Sequence, residues 1–412
     1  MAADTADDFA KQAEQLIRSG DQAAALTALA KASSIATNSA ETEDQVGFLY
    51  AVLQQSDDAI AHFERSIKLN PSLAPAHFHL GVALWNLNQQ NKAIAELQAA
   101  VRLDPKAFDY RYRLGSAYLK VSDLEKAVPE LQEATAIRPS DANAVMELSS
   151  ALQAKGDLAG ATQALSAAVN ANPADNALRN SYTQLLIETR QADRAIEEAH
   201  KVLAVNPKDT SAFMNIGYAN LKKGDFDEAE KAYREILAID RYSAAAHYDL
   251  GIALKEKDQL EAAQKEFREA IDLDSTLAEA HYSLGIADWQ LGDSVGLAQE
   301  MKAAIAIRPA YAEAHYMLGI AYKLLGDLDS ALVELNASIK LDPSTPGPYN
   351  TMGQILRIKG DKHGSEEAFA TGARLAKAKN NELANTLEQG MRGGVIMKPI
   401  AQTPPAVSES PR

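Results

Sequence analysis

The sequence predicts an all-α solenoid built as a stack of helical hairpins, and three observations predict it. Glycine recurs at a fixed step of 34 residues: Gly47, Gly81, Gly115, Gly217, Gly251, Gly285, Gly319 and Gly353 share one register, with Ala13, Ser149 and Thr183 in the other slots. Twelve positions later stands a small residue, as at Ala25, Ala93, Ala195, Ala263 and Ala331, with Leu297 and Ser365 as departures. Ten positions before the glycine slot stands Pro71, Pro105, Pro139, Pro173, Pro207, Pro309 or Pro343, with Thr37, Arg241 and Ser275 as exceptions. From 13 to 353 the step holds ten times without an inserted residue. A strict period of this length marks a repeat array, so the two or three domains ordinarily expected of 412 residues give way to one stacked series.

Each unit reads as two helices. In "AEAHYSLGIADWQLGDSVGLAQEMKAAIAIRP" the apolar residues keep helical spacing up to Gly292, Asp293 is placed to cap a second helix, and that helix ends before Pro309. Glycine and alanine at the glycine and alanine slots let the two helices approach closely, while proline sits where neither helix needs a backbone donor. After a short extension over 1–5, the units run 6–39, 40–73, 74–107, 108–141, 142–175, 176–209, 210–243, 244–277, 278–311, 312–345 and 346–379. The first, fifth and sixth match the pattern least, since Ser149 and Thr183 replace glycine and Arg179 and Ala199 replace aromatics. Residues 380–390, with Leu383 and Leu387 at helical spacing, predict a capping half-unit over the last exposed hairpin. Residues 391–412 carry Pro399, Pro404, Pro405 and Pro411 with little periodicity, which predicts a disordered tail.

These residues resemble the tetratricopeptide repeat family. Its signature at this period is an aromatic, leucine-glycine, tyrosine, alanine, phenylalanine, alanine and proline at fixed offsets. Here Leu80, Leu114, Leu250, Leu284 and Leu318 take the leucine slot, Tyr50, Tyr118 and Tyr322 the tyrosine slot, and Phe63, Tyr233, Phe267 and Phe369 the phenylalanine slot. The eleven ungapped units cover all but 38 residues. The resemblance implies a right-handed superhelix that is not an enzyme and that holds a peptide or extended protein segment in its concave groove.

Composition narrows the partner. A net charge of -15, from 56 acidic and 41 basic side chains, repels phosphate backbones and anionic membranes, so nucleic acid is not expected. There is no cysteine, which removes disulfides, thiolate metal sites and cysteine nucleophiles. The acidic start "MAADTADDFA" lacks a signal-peptide pattern and no run of about 18 apolar residues occurs, so no membrane insertion is expected. As given, the chain reads as soluble and cytoplasmic; removal of a leader would make it periplasmic or secreted. No nucleophile motif, phosphate-cradling loop or metal-spaced cluster stands apart from the repeats, so no catalytic residue, cofactor or metal is expected. Regular end faces would also permit self-association into filaments.

Two stripes of the first helix carry the remaining candidates. His77, His247, His281 and His315 occupy the signature's aromatic slot, where a flat ring fills the hairpin interface. Successive rungs on the order of 10 Å apart cannot share an ion that needs nitrogens at about 2.0–2.1 Å. Asp288 and Asn220 are odder, because they put polar groups in the tyrosine slot and need partners there. One residue past each histidine begins the stripe that, by resemblance, lines the groove. It carries Phe78, Tyr112, Tyr248, Tyr282 and Tyr316 at its first point and Tyr218 at its second. Trp85, Lys255, Trp289, Lys323 and Arg357 stand at the third. Aromatics with a polar handle beside basic residues are enriched at protein contacts, and the three cations favour an acidic ligand in the C-terminal half. The lysine-then-asparagine pair by which some members of the family grip chaperone tails is absent: Tyr282 is followed by Ile286, and Tyr112 by Ser116.

Overall fold

The computed structural model describes residues 5–35 and 37–392, with side chains described as far as residue 381. Among these residues every regular element is an α-helix. Packing divides the chain into two units, Met1–Ala219 and Asn220–Arg412. The first pairs α1 (Ala6–Ser19) with α2 (Gln22–Ser34), α3 (Ala40–Val52) with α4 (Ser56–Leu69), and α5 (Ala74–Asn86) with α6 (Gln90–Leu103). It continues with α7 (Phe108–Lys120) and α8 (Leu124–Ile137), α9 (Ala142–Ala154) and α10 (Leu158–Ala171), and α11 (Asn176–Glu188) and α12 (Ala192–Val205). Helix α13 (Thr210–Lys223) runs through the division. The second unit has α14 (Phe226–Ile239), then α15 (Ala244–Glu256) with α16 (Leu260–Leu273) and α17 (Ala278–Gln290) with α18 (Ser294–Ile307). It ends with α19 (Ala312–Leu324) and α20 (Leu328–Leu341), and α21 (Pro346–Ile358) and α22 (Lys362–Arg392).

The hairpin corner explains why each first helix stops where it does. One residue per hairpin takes the left-handed conformation, at φ between 58° and 85°: Gly20, Gln54, Asn88, Ser122, Gly156, Arg190, Gly224, Asp258, Gly292, Gly326 and Gly360. It lets two backbone bonds close over the helix end. In the ninth hairpin Gly292 N–H donates to the Trp289 carbonyl at 3.0 Å and Asp293 N–H to the Asp288 carbonyl at 2.8 Å. The next residue then opens the second helix, and the Asp293 side chain accepts from Gly296 N–H at 2.8 Å.

Close helix approach is visible at the glycine slot. A Cβ on Gly81 would lie 2.8 Å from Leu97 Cγ, and one on Gly251 would lie 2.6 Å from Phe267 Cε1. Alanine at the facing slot is fully buried in nearly every hairpin, as at Ala93, Ala127 and Ala263. Inside each unit the second helix of a hairpin packs on the first helix of the next, and odd helices touch odd helices, as α3 touches α5 and α15 touches α17. Within each unit the odd helices therefore form a layer and place their outward stripes side by side.

One element departs from expectation. Residues 380–390 do not begin a separate capping helix but continue α22, which runs unbroken for 31 residues. No glycine or proline interrupts "ARLAKAKNNELANTLEQ", so neither of the strong helix breakers ends the helix there. The tail expected over 391–412 lies, from residue 393 on, outside the described residues.

Candidate partner-binding face

The stripe residues stand on the odd-helix layer, and most are half-buried against the next hairpin. In the first unit the Phe78 ring lies 4.8 Å from that of Tyr110, and Trp85 packs against the apolar clusters on both sides of its hairpin. Tyr112 stacks on Phe108 at 5.6 Å and donates its hydroxyl to Glu147 Oε1 at 3.2 Å. Burial first, and the Glu147 carboxylate second, push the Tyr112 phenol up. Tyr218 is 43% exposed.

The second unit repeats the pattern with more tyrosine. Tyr248 faces Phe267 at 6.0 Å, and Tyr282 stacks on Tyr311 at 5.2 Å. Burial pushes the Tyr282 phenol up to about 12 and the Tyr311 phenol higher still, so both stay protonated donors. Tyr316 fits over Gly347, where a Cβ would lie 2.8 Å from its hydroxyl. Trp289 and Ile286 rest on the cluster built by Leu297, Met301 and Leu318. Of the three cations, Lys255 pairs with Glu256 at 3.0 Å, Lys323 donates to the Gln354 amide oxygen, and Arg357 is exposed.

Several residues of this layer escaped the sequence reading. Phe48 is 47% exposed, with its ring 5.3 Å from that of His79, whose Nδ1 is 2.9 Å from Asp44 Oδ1. Met146 is 39% exposed on α9. Both fall in the stripe's register, Phe48 one step before Val82 and Met146 one step after Tyr112, so the period itself points to them. Glu147 Oε1 also accepts from Ser116 Oγ at 3.2 Å, while its Oε2 is buried without a partner.

The histidine slot holds more than flat filler. The Nδ1 of His77, His247, His281 and His315 lies 2.6, 2.6, 2.7 and 2.6 Å from Oε2 of Glu96, Glu266, Glu300 and Glu334. Asp288, 5% exposed, finds its partner in Gln264, which donates at 2.6 Å. Burial raises the Asp288 carboxyl above its usual range. Glu198 is mostly covered and bonds Arg179 and Lys201. Although burial opposes it, these two cations hold its carboxyl below the usual range. Among the described residues no three His, Cys, Asp or Glu side chains form a group able to hold a metal. Among them too, no helix is long and apolar enough to cross a membrane.

Comparison with known proteins locates the pattern. Models described as tetratricopeptide repeat match residues 112–176, 184–244 and 312–345, and one described as TPR repeat matches 86–122 and 253–292. No curated protein matches significantly. Among solved structures, a crystal structure of MamA is 28% identical over 40% of this chain and 97% of its own, with a TM-score of 0.39. YrrB, titled a TPR protein with an unusual peptide-binding site, is 21% identical over 45% of this chain and 96% of its own, at 0.38. A tetratricopeptide repeat protein from Parabacteroides merdae ATCC 43184 is 17% identical over 57% of this chain and 93% of its own, at 0.44.

Proposed function

Since the chain belongs to the tetratricopeptide repeat family, we propose that it works as a non-enzymatic scaffold whose odd-helix face holds a peptide or extended protein segment. The observation that carries this reading is the stripe itself: half-exposed aromatics recur at one register along adjacent helices, with open ring surface at Phe48 and Tyr218. Aromatic rings of this kind supply large contact area at low entropic cost, and a few of them dominate binding energy where they meet a partner. In the second unit, Lys323 and the exposed Arg357 give the same face cationic ends suited to carboxylates of an acidic segment. Trp85 and Trp289 are half-buried against the apolar clusters and keep part of their surface exposed on this face.

Panning the full chain against a random peptide library tests the reading. Acidic, aliphatic-containing peptides should emerge, and Arg357→Ala together with Lys323→Ala should weaken them about tenfold, with melting unchanged. Phe48→Ala should weaken peptides that engage the first unit. If peptides emerge with no charge bias, and the double variant binds them as the parent does, the acidic preference fails. If no peptide is captured on this face at all, the scaffold reading fails with it.

A further inference from the structure

The slot that carries the histidines is a two-sided cation site, and its chemistry repeats with different residues. Arg111 Nη1 donates to Glu130 at 2.7 Å while its Nε donates to the Pro105 carbonyl at 2.7 Å. Arg179 makes the same two contacts, to Glu198 and to the Pro173 carbonyl. His77 Nε2 lies 3.1 Å from the Pro71 carbonyl, His247 Nε2 3.2 Å from that of Arg241, and His315 Nε2 3.1 Å from that of Pro309. In each case the cation stands 19 residues before its glutamate and six after its carbonyl. One side chain thus ties the second helix of its hairpin to the turn that enters the hairpin. Where an uncharged residue occupies the slot, the glutamate is gone too: Phe9 goes with Ala28, Val145 with Ala164, Phe213 with Ala232, and Tyr349 with Ala368.

A carbonyl oxygen only accepts, and an ionised carboxylate only accepts. Both ring nitrogens of His77, His247 and His315 therefore need a hydrogen, or the ring needs one and the carboxyl supplies the other. Either way the pair holds one proton more than a neutral imidazole beside an ionised carboxylate. We propose that these three histidines are proton-dependent counterparts of the arginine ties, so that acidification tightens their hairpins and loss of the shared proton loosens them. Two neighbours bound the effect. His281 has the glutamate contact, at 2.7 Å, without a carbonyl contact in the structure, and so is half a tie. His62 stands in the reversed pair with Glu43, and its Nε2 lies 2.8 Å from Ser33 Oγ, a hydroxyl that can donate. A singly protonated ring satisfies that site, and burial pushes the His62 imidazole down.

Other charged groups stand near these rings. Asp57 and Glu64 of α4 and Lys92 of α6 line the hollow shared with Glu96. Beside His247, Arg241 lays its guanidinium over Tyr242, 4.5 Å from the ring centre. In the turn before His315, Arg308 is paired with Glu279, and Glu313 lies one turn's start away.

Histidine-selective 15N spectra of the full chain, recorded from pH 5.5 to 8.5, read the proton directly. His77, His247 and His315 should show hydrogens on both ring nitrogens, or one of them shared with the paired carboxylate, whereas His62 should show a single N–H. A single unshared N–H on each of the three rings at the low end of that range overturns the proposal. Hydrogen exchange supplies the consequence: after correction for intrinsic rates, protection of α15, α16, α19 and α20 should fall roughly tenfold between pH 6 and 8. In the His247→Arg, His315→Arg variant it should stay flat at the low-pH level. A variant that keeps the parent's slope shows that the histidines are not its source, and also overturns the proposal.

Discussion

At the scale of single residues, one departure from the repeat pattern is offset by another in its own hairpin. Thr183 puts a larger side chain where most hairpins have glycine, and Ala199 opposite it supplies the missing space; both are fully buried. The sequence showed each as a blemish in the sixth unit, because substitution at one slot is visible but its partner 16 residues away is named only by contact. The same logic gives a prediction. Gly251→Ala forces a methyl to 2.6 Å from Phe267, and overpacking should lower stability by about 1–3 kcal/mol on denaturant titration. Gly251→Ala combined with Phe267→Leu should recover part of the loss. A second residue carries a pH signature. Burial raises the Asp249 carboxyl to about 6, so the folded chain keeps a proton that the unfolded chain sheds from 3.8 upward. Stability on this account is present below that range and declines as pH rises through the window from 3.8 to about 6. At pH 7.5, Asp249→Asn should therefore raise the melting point, by about 1–2 kcal/mol of stability, and the gain should vanish below pH 4. An unchanged melting point at pH 7.5 would show that the carboxylate is solvated there.

At the scale of the helix and hairpin, the corner is the most regular feature and was legible where glycine fills it. Gly292 and Asp293 could be read as a stop followed by a cap, and the structure has them so. Five corners use Gln54, Asn88, Ser122, Arg190 and Asp258 in the same left-handed conformation. Asn88 and Asp258 are residue types that tolerate this conformation, whereas Gln54, Ser122 and Arg190 are placed there only by the shared register. A left-handed non-glycine residue costs roughly 1–2 kcal/mol, so Ser122→Gly and Arg190→Gly should each raise stability by about 1 kcal/mol. Arg190→Pro should do the reverse, because its φ of 60° is closed to proline. The end of the array was the least legible element. Leu383 and Leu387 at helical spacing predict helix beyond the last unit, but a sequence without strong breakers reads the same whether it begins a new helix or prolongs α22.

At the scale of the whole molecule, an array in which each hairpin meets only its neighbours has stability that adds up locally. Trp85 lies in the first unit and Trp289 in the second, so Trp289→Phe and Trp85→Phe leave one fluorophore reporting on each. Urea titrations of the two variants should give midpoints that differ from each other, while helicity spans both. Coincident midpoints would show that the chain melts as a single body. The division after Ala219 left no trace in the sequence, because the period passes through it without a gap and packing density is not a periodic quantity. The unbroken step has a consequence for how such a chain changes over generations. Every tie, corner and close approach described above joins residues at fixed offsets, so an in-frame loss or duplication of one repeat's coding sequence inside a unit restores all of them at the new junction. Reach along a partner can then be lengthened or shortened one hairpin at a time without first inventing a new fold.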